Sequence, residues 1–209
     1  MVLDLVKAKT IMNFLAHLIL AHPDRDLMVG NYLGDLVHKK EVPFVPENFH
    51  QGINLHRFID HFTDNHPSVD QINLIFRPAV GKYAPVASDI VMDYFIYKNW
   101  NIFNTIEYVD FEESVYQLLN ETYASFPDSA ADVTQKMVAG KWLKQYQSIE
   151  GMTDVMRRMN RKAKFSVDFE KCIAVMQVNE DKINEHFLCF YEDMGIECQY
   201  WINLQNAAK

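Results

Sequence analysis

The chain has 209 residues, of which 49% are hydrophobic and 23% charged, and its net charge is −8. That length supports one domain with a continuous core, and seven Gly and seven Pro are too few for a turn-dense all-β fold. The acidic balance argues against nonspecific nucleic-acid binding, and the most apolar stretch, residues 14–21, falls short of the about 20 residues that a membrane span needs.

Residues 1–11 read as an N-terminal extension to a domain covering 12–209, with Met12 as an alternative start and Asn13 as a cap for the helix that follows. The extension has alternating charge and no small-residue cleavage site, so it does not read as a secretory signal. Phe14, Leu15, Leu18 and Ile19 then form one apolar helical stripe. Pro23-Asp24 ends that helix, and Asp24 caps a second over 27–37 that carries Asn31 and Asp35 on one line. A third helix is predicted over 48–64. Pro67 and Pro85 open a fourth, through Ala79, and a fifth, to about Trp100, because the N–H missing from Pro has no partner in a first turn. Further helices are expected over 110–124, 129–145, 149–162 and 167–193. Strand-like alternation is scarce. The fold class is therefore all-α, a single-domain bundle of about eight or nine helices. Cys172, Cys189 and Cys198 show no pairing pattern and read as reduced thiols of a cytoplasmic protein.

His56, Asp60 and Asp64 are spaced i, i+4, i+8, which places three candidate ligands on one drifting helix face. Asp89 and Asp93 share a face in the same way, and His17 and Asp35 sit inside apolar helices. A lone charge on an apolar face is expensive to bury unless it is paired or coordinated. Helical bundles build metal sites from such side chains on facing helices. Carboxylate and imidazole without thiolate suit Mg²⁺, Mn²⁺, Fe or Zn²⁺, and Arg57 is placed to neutralise a phosphate. Each piece also has an ordinary reading. The Asp89–Asp93 pair suits a solvated face, and His17 a hydrogen-bonded core position. His56, Asp60 and Asp64 suit pairing with Arg57 and Arg77, and Asp64 suits a cap on the next helix. Combined, the clusters point to metal-assisted hydrolysis of a phosphate ester.

At these residues the chain resembles the acyl carrier protein phosphodiesterase family. The resemblance rests on Asn13-Phe14-Leu15-Ala16-His17, Gly30-Asn31-Tyr32-Leu33-Gly34-Asp35, Gly52-Ile53-Asn54-Leu55-His56-Arg57-Phe58-Ile59-Asp60, Thr63-Asp64-Asn65 and Asp89-Ile90-Val91-Met92-Asp93-Tyr94-Phe95. Trp142-Leu143 with Tyr146 adds a weaker match. The resemblance implies hydrolysis of the phosphodiester joining 4′-phosphopantetheine to a serine of acyl carrier protein. It implies an HD-domain-like phosphohydrolase bundle and a divalent metal, Mn²⁺ first, with Mg²⁺ or Fe²⁺ as alternatives. By position it implies His17, Asp35, His56, Asp60 and Asp93 as ligands, with Asp89 and Asp64 beside them and Asp60, Arg57 and Asp64 in catalysis. Arg57 stands where the HD pattern has Asp, and Tyr94 where some relatives carry His. A small, acidic carrier protein would be repelled by a chain of net charge −8 unless a basic patch faced it. Arg157, Arg158, Arg161, Lys162 and Lys164 are candidates for that substrate-binding patch; they equally suit a solvated helix end. Two other functions share the motifs: hydrolysis of a nucleotide or other small phosphodiester, and carrier-protein binding without turnover.

Overall fold

In the computed structural model, which describes residues 14–207, eleven α-helices and five short 3₁₀ segments form one bundle, with no strand among the described residues. Residues 1–11 and the Asn13 cap lie outside that range. Among the described residues no helix is long and apolar enough to cross a membrane. Their three cysteines are unpaired, and Cys172 and Cys198 are buried.

The helices are α1 (Phe14–Ala21), α2 (Arg25–Leu33), α3 (His50–Asp64), α4 (Pro67–Val80), α5 (Ala84–Lys98), α6 (Trp100–Phe103), α7 (Tyr108–Thr122), α8 (Asp128–Ala139), α9 (Ile149–Lys162), α10 (Lys171–Val178) and α11 (Glu180–Ala207). The starts of α2, α4 and α5 follow the expected chemistry. Asp24 caps α2 by accepting from the Leu27 N–H at 3.0 Å, and Pro67 sits in the first turn of α4. The cap of α4 is the His66 imidazole, which accepts from the Ser68 N–H at 3.2 Å, rather than Asp64.

The eleven exceed the nine expected by the four-residue α6 and by a break in the last helix. The long C-terminal helix is split at Asn179, whose side-chain amide turns back to donate to the Val175 carbonyl at 2.8 Å. Its second part runs on to Ala207, because Met194 and Cys198 continue the buried stripe. The expected 129–145 helix stops at Ala139, where Lys141 takes a left-handed φ of 45° and a 3₁₀ segment, Trp142–Gln147, begins. Helix α2 stops at Leu33 rather than Val37, and the backbone tightens so that the Leu36 N–H bonds Leu33.

Helix α5 is the centre of the bundle and touches α1, α4, α9, α11 and the Trp142–Gln147 segment. Its buried residues run all round the axis, including Ala87, Ile90, Val91, Phe95 and Ile96, as expected of a helix enclosed on every side. Around it, α9 is strongly amphipathic. Met152, Val155, Met156 and Met159 face the core, while Arg157 and Arg161 face outward.

The closest helix pair is α2 with α3. A Cβ on Gly30 would lie 2.0 Å from the Phe49 carbonyl oxygen and 2.7 Å from the Gly52 Cα, and a Cβ on Gly52 would lie 2.5 Å from the Leu27 carbonyl oxygen. The two backbones therefore meet glycine on glycine. Gly30→Ala or Gly52→Ala must force them apart and is expected to cost about 1–3 kcal/mol of stability or more. Gly195, in α11, has nothing within 4 Å of its Cβ position, so Gly195→Ala should instead add about 0.5–1 kcal/mol. Urea unfolding midpoints of the three variants check this, and equal destabilisation at all three positions would contradict the close crossing.

Candidate metal centre

The close crossing of α2 and α3 sets the geometry of a buried polar cluster. His56, on α3, reaches across so that its Nδ1 lies 3.0 Å from the backbone carbonyl oxygen of Asn31, on α2. Its ring occupies the space that a side chain at residue 34 would fill: a Cβ on Gly34 would lie 2.1 Å from the His56 Cγ. His17, on α1, stacks on this ring with centroids 4.0 Å apart. Its Nδ1 lies 2.8 Å from the Asn31 Oδ1, and the Asn31 Nδ2 donates to the His17 carbonyl at 2.7 Å.

The Nε2 atoms of both rings face carboxylates. The His56 Nε2 is 3.5 Å from an Asp35 oxygen and 3.3 Å from an Asp60 oxygen, and the His17 Nε2 is 3.6 Å from the other Asp60 oxygen. The imidazoles are buried; the Asp35 side chain is 14% exposed and the Asp60 side chain 43%. Asp60 therefore stands at the mouth of the cluster and Asp35 at its floor.

This donor set fits a divalent cation. One ligand atom each from His17, Asp35 and His56 lie within 4.8 Å of one another, and Asp60 is in reach of both rings. The Asp35 Oδ2 is buried with no hydrogen-bond partner, an arrangement that is costly without a positive charge beside it. Two imidazoles with carboxylates and no thiolate match Mn²⁺, Fe²⁺ or Zn²⁺ chemistry.

The other expected residues are placed differently. Asp93 is not in the cluster. It accepts from the Leu15 N–H at 3.2 Å and the Ala16 N–H at 3.0 Å, with a further bond from the Tyr146 hydroxyl. It thus caps α1, the helix that carries His17. Asp89, half-buried on α5, lines a small cavity with Ala16, Ile59 and Thr63. Its carboxyl is pushed well up by burial, and then by the charges of Asp60, Asp64, Asp35 and Asp93. Asp64 is exposed, one turn beyond Asp60. Arg57 lies on the outer face of α3, donating to Asn54 at 3.1 Å, and does not approach the cluster.

Of the basic residues, Arg157 is paired with Asp154 at 2.7 Å and Glu170 at 3.1 Å. Arg158 bonds Gln145, while Arg161, Lys162 and Lys164 are exposed. Asn31, Gly30, Gly34 and Gly52 lie in the stretches that carry the family resemblance, but the sequence reading gave none of them a role in the site. The available signal was Gly30 and Gly34 at i, i+4 on an apolar helix, the spacing that permits close backbone approach.

The structure is thus an all-helical bundle in which two stacked histidines and two aspartates form a group that could hold a divalent cation. The model of the family described as acyl carrier protein phosphodiesterase matches residues 12–194, and the chain belongs to that family. Proteins named acyl carrier protein phosphodiesterase are similar along most of their length. That of Salmonella paratyphi A is 28% identical over 88% of this chain and 95% of its own. That of Salmonella dublin is 29% identical with the same coverage, and that of Enterobacter sp. strain 638 is 25% identical over 90% and 98%. No solved structure matches.

The charges make the metal-free cluster sensitive to pH. Burial alone would lower the His56 pKa, but hydrogen bonds to Asp35 and Asp60 and their charges outweigh it and hold it at about 9. His17 is pushed down to about 4 by burial and by His56, against Asp60, Asp35 and Asn31. Asp93 is pushed up to about 8 by burial, although its two N–H donors and Tyr146 pull it down. The His56 proton stabilises the fold fully below pH 6.5, the ordinary imidazole value, and that contribution is lost as pH rises through about 9. Asp93 acts in the same direction, because ionising it inside the fold costs stability between pH 3.8 and about 8. Metal-free protein is therefore expected to melt at a lower temperature at pH 9 than at pH 6.5. Asp60→Asn, which removes a partner of His56, should narrow that gap. Calorimetry in a chelating buffer checks both, and identical melting at the two pH values would contradict the assignment.

Proposed function

We propose that this chain is a metal-dependent phosphodiesterase that removes 4′-phosphopantetheine from the serine of holo-acyl carrier protein, leaving the apo-protein. The observation that carries this is the convergence of His17 from α1, Asp35 from the turn after α2, and His56 and Asp60 from α3, in a chain of this family. A bound divalent cation, Mn²⁺ first, would lower the pKa of a water and stabilise charge on a phosphoryl oxygen. His17, His56 and Asp35 would hold it. Asp60, the more exposed of the two carboxylates, would close the ligand set and would serve as the acceptor for a proton from water. Asp93 serves the reaction by anchoring α1, and the exposed Asp64 adds negative charge beside Asp60. On this reading the bundle is a divergent relative of the HD-type phosphohydrolases, with His56-Arg57 in place of the His-Asp pair.

The substrate on this reading is an acidic protein, and basic residues at the C-terminal end of α9 and just beyond it supply the matching sign. With Arg157 neutralised by Asp154 and Glu170, the patch consists of Arg158, Arg161, Lys162 and Lys164, joined by Lys82, whose Nζ lies 3.3 Å from the centroid of the Phe165 ring. Such a patch raises the association rate and is screened by salt over about 8 Å at physiological ionic strength.

Incubation with holo-acyl carrier protein and Mn²⁺ should release the phosphopantetheine mass, read on the intact carrier protein. Folded Asp60→Ala should retain less than about one part in a hundred of that rate, the scale on which loss of the activated water is felt. Unchanged holo-protein after exposure to metal-loaded wild type would refute the reading. Reversing the charge of Arg158 and Arg161 should lower kcat/KM on the carrier protein, less so at high salt, and leave hydrolysis of a small phosphodiester unaltered. Equal losses on both substrates would assign these residues to the fold instead.

A further inference from the structure

The two histidines of the cluster are tied to one residue. Asn31 is fully buried, and its hydrogen bonds leave no freedom in where the protons sit. The His17 carbonyl oxygen can only accept, so the Asn31 atom 2.7 Å from it is the amide nitrogen. The side-chain oxygen of Asn31 then faces the His17 ring at 2.8 Å, and it too can only accept. The His17 Nδ1 must therefore carry a hydrogen, which leaves the lone pair of the neutral ring on Nε2, directed to the mouth of the cluster. The backbone carbonyl of Asn31 makes the same demand on His56, whose Nδ1 is 3.0 Å away and must donate. One residue thus sets both rings, His17 through its side chain and His56 through its backbone.

We propose that Asn31 is the positioning residue of the centre, locking both histidines with Nδ1–H turned inward and Nε2 presented to the cation. This rests on the metal reading above and deepens it. Partners on the far nitrogen of a metal-binding histidine fix its tautomer and orientation and commonly change metal affinity 10–100-fold. Here the two partners are a single residue, seated on the helix whose Gly30 lets α3 approach within bonding range. The nearby carboxylates do not duplicate this role, since Asp35 and Asp60 lie on the Nε2 side of the rings.

The test reads the rings directly. Protein labelled with ¹⁵N-histidine and freed of metal should show His17 with hydrogen on Nδ1 and none on Nε2 in long-range ¹H–¹⁵N correlation spectra. In Asn31→Ala that signature should be lost for His17 and kept at His56 Nδ1, whose acceptor is backbone. Its Kd for Mn²⁺ by calorimetry should rise about 10–100-fold. Asn31→Asp, which keeps the acceptor for the ring, should restore the His17 signature and most of the affinity. Hydrogen on the Nε2 of His17 in the wild-type protein would overturn the proposal, whether or not Asn31→Ala folds. So would a folded Asn31→Ala that binds Mn²⁺ as tightly as wild type. Wild-type protein that binds no Mn²⁺ sinks the metal reading and this inference with it. That result is distinct from a wild type that binds and a variant that binds equally.

Discussion

The contact of Gly30 with Gly52 is the constraint from which the rest of the centre follows. Two helices ordinarily stand 8–10 Å apart, held off by their side chains. Here neither helix has a side chain at the point of contact. Only that approach lets an imidazole on α3 hydrogen-bond a main-chain carbonyl on α2. The same closeness gives the His56 ring its place beside Gly34. Packing and chemistry are thus decided by the same atoms.

The electrostatics follow from where the crossing lies. The cluster sits beneath the surface, its imidazoles buried and only Asp60 substantially exposed. Burial makes each charge expensive, and the carboxylates outnumber the histidines once Asp89 and Asp93 are included. The bundle answers with polar backbone. The first turn of α1 donates to Asp93, and the last turn of α2 accepts from His56. Helix termini and carbonyls are available for this because α1 and α2 are short and end inside the structure. What they leave unsatisfied, above all the second oxygen of Asp35, is negative and inward, as a cation site must be.

Much of this was legible from the residues, and the exceptions have physical causes. The His56–Asp60 pair could be read because a spacing of four is a local property of a helix. The meeting of His17 and Asp35 with that pair depended on three helices packing, and the sequence shows only that each would be costly to bury alone. Asp93 carried the same signature of a carboxylate on an apolar helix, and burial does not reveal whether its partner is a metal or a helix end. Arg57 was misleading in a simpler way: a residue next to His56 in sequence points about 100° away from it around the helix. The division of α10 from α11 turned on one Asn side chain folding back onto its own helix, a choice that hydrophobic periodicity does not register.

The bond from His56 to the main chain of Asn31 gives the centre an unequal exposure to genetic change. Every residue has a carbonyl, so no codon at position 31 can delete the acceptor for His56, whereas nearly any new codon deletes the one for His17. The vulnerability of the His56 arrangement is displaced to Gly30, Gly34 and Gly52, whose codons govern whether that carbonyl is within reach. A scan that credits residues with what their side chains do would therefore assign half of the work of Asn31 to three glycines that have no side chain to offer.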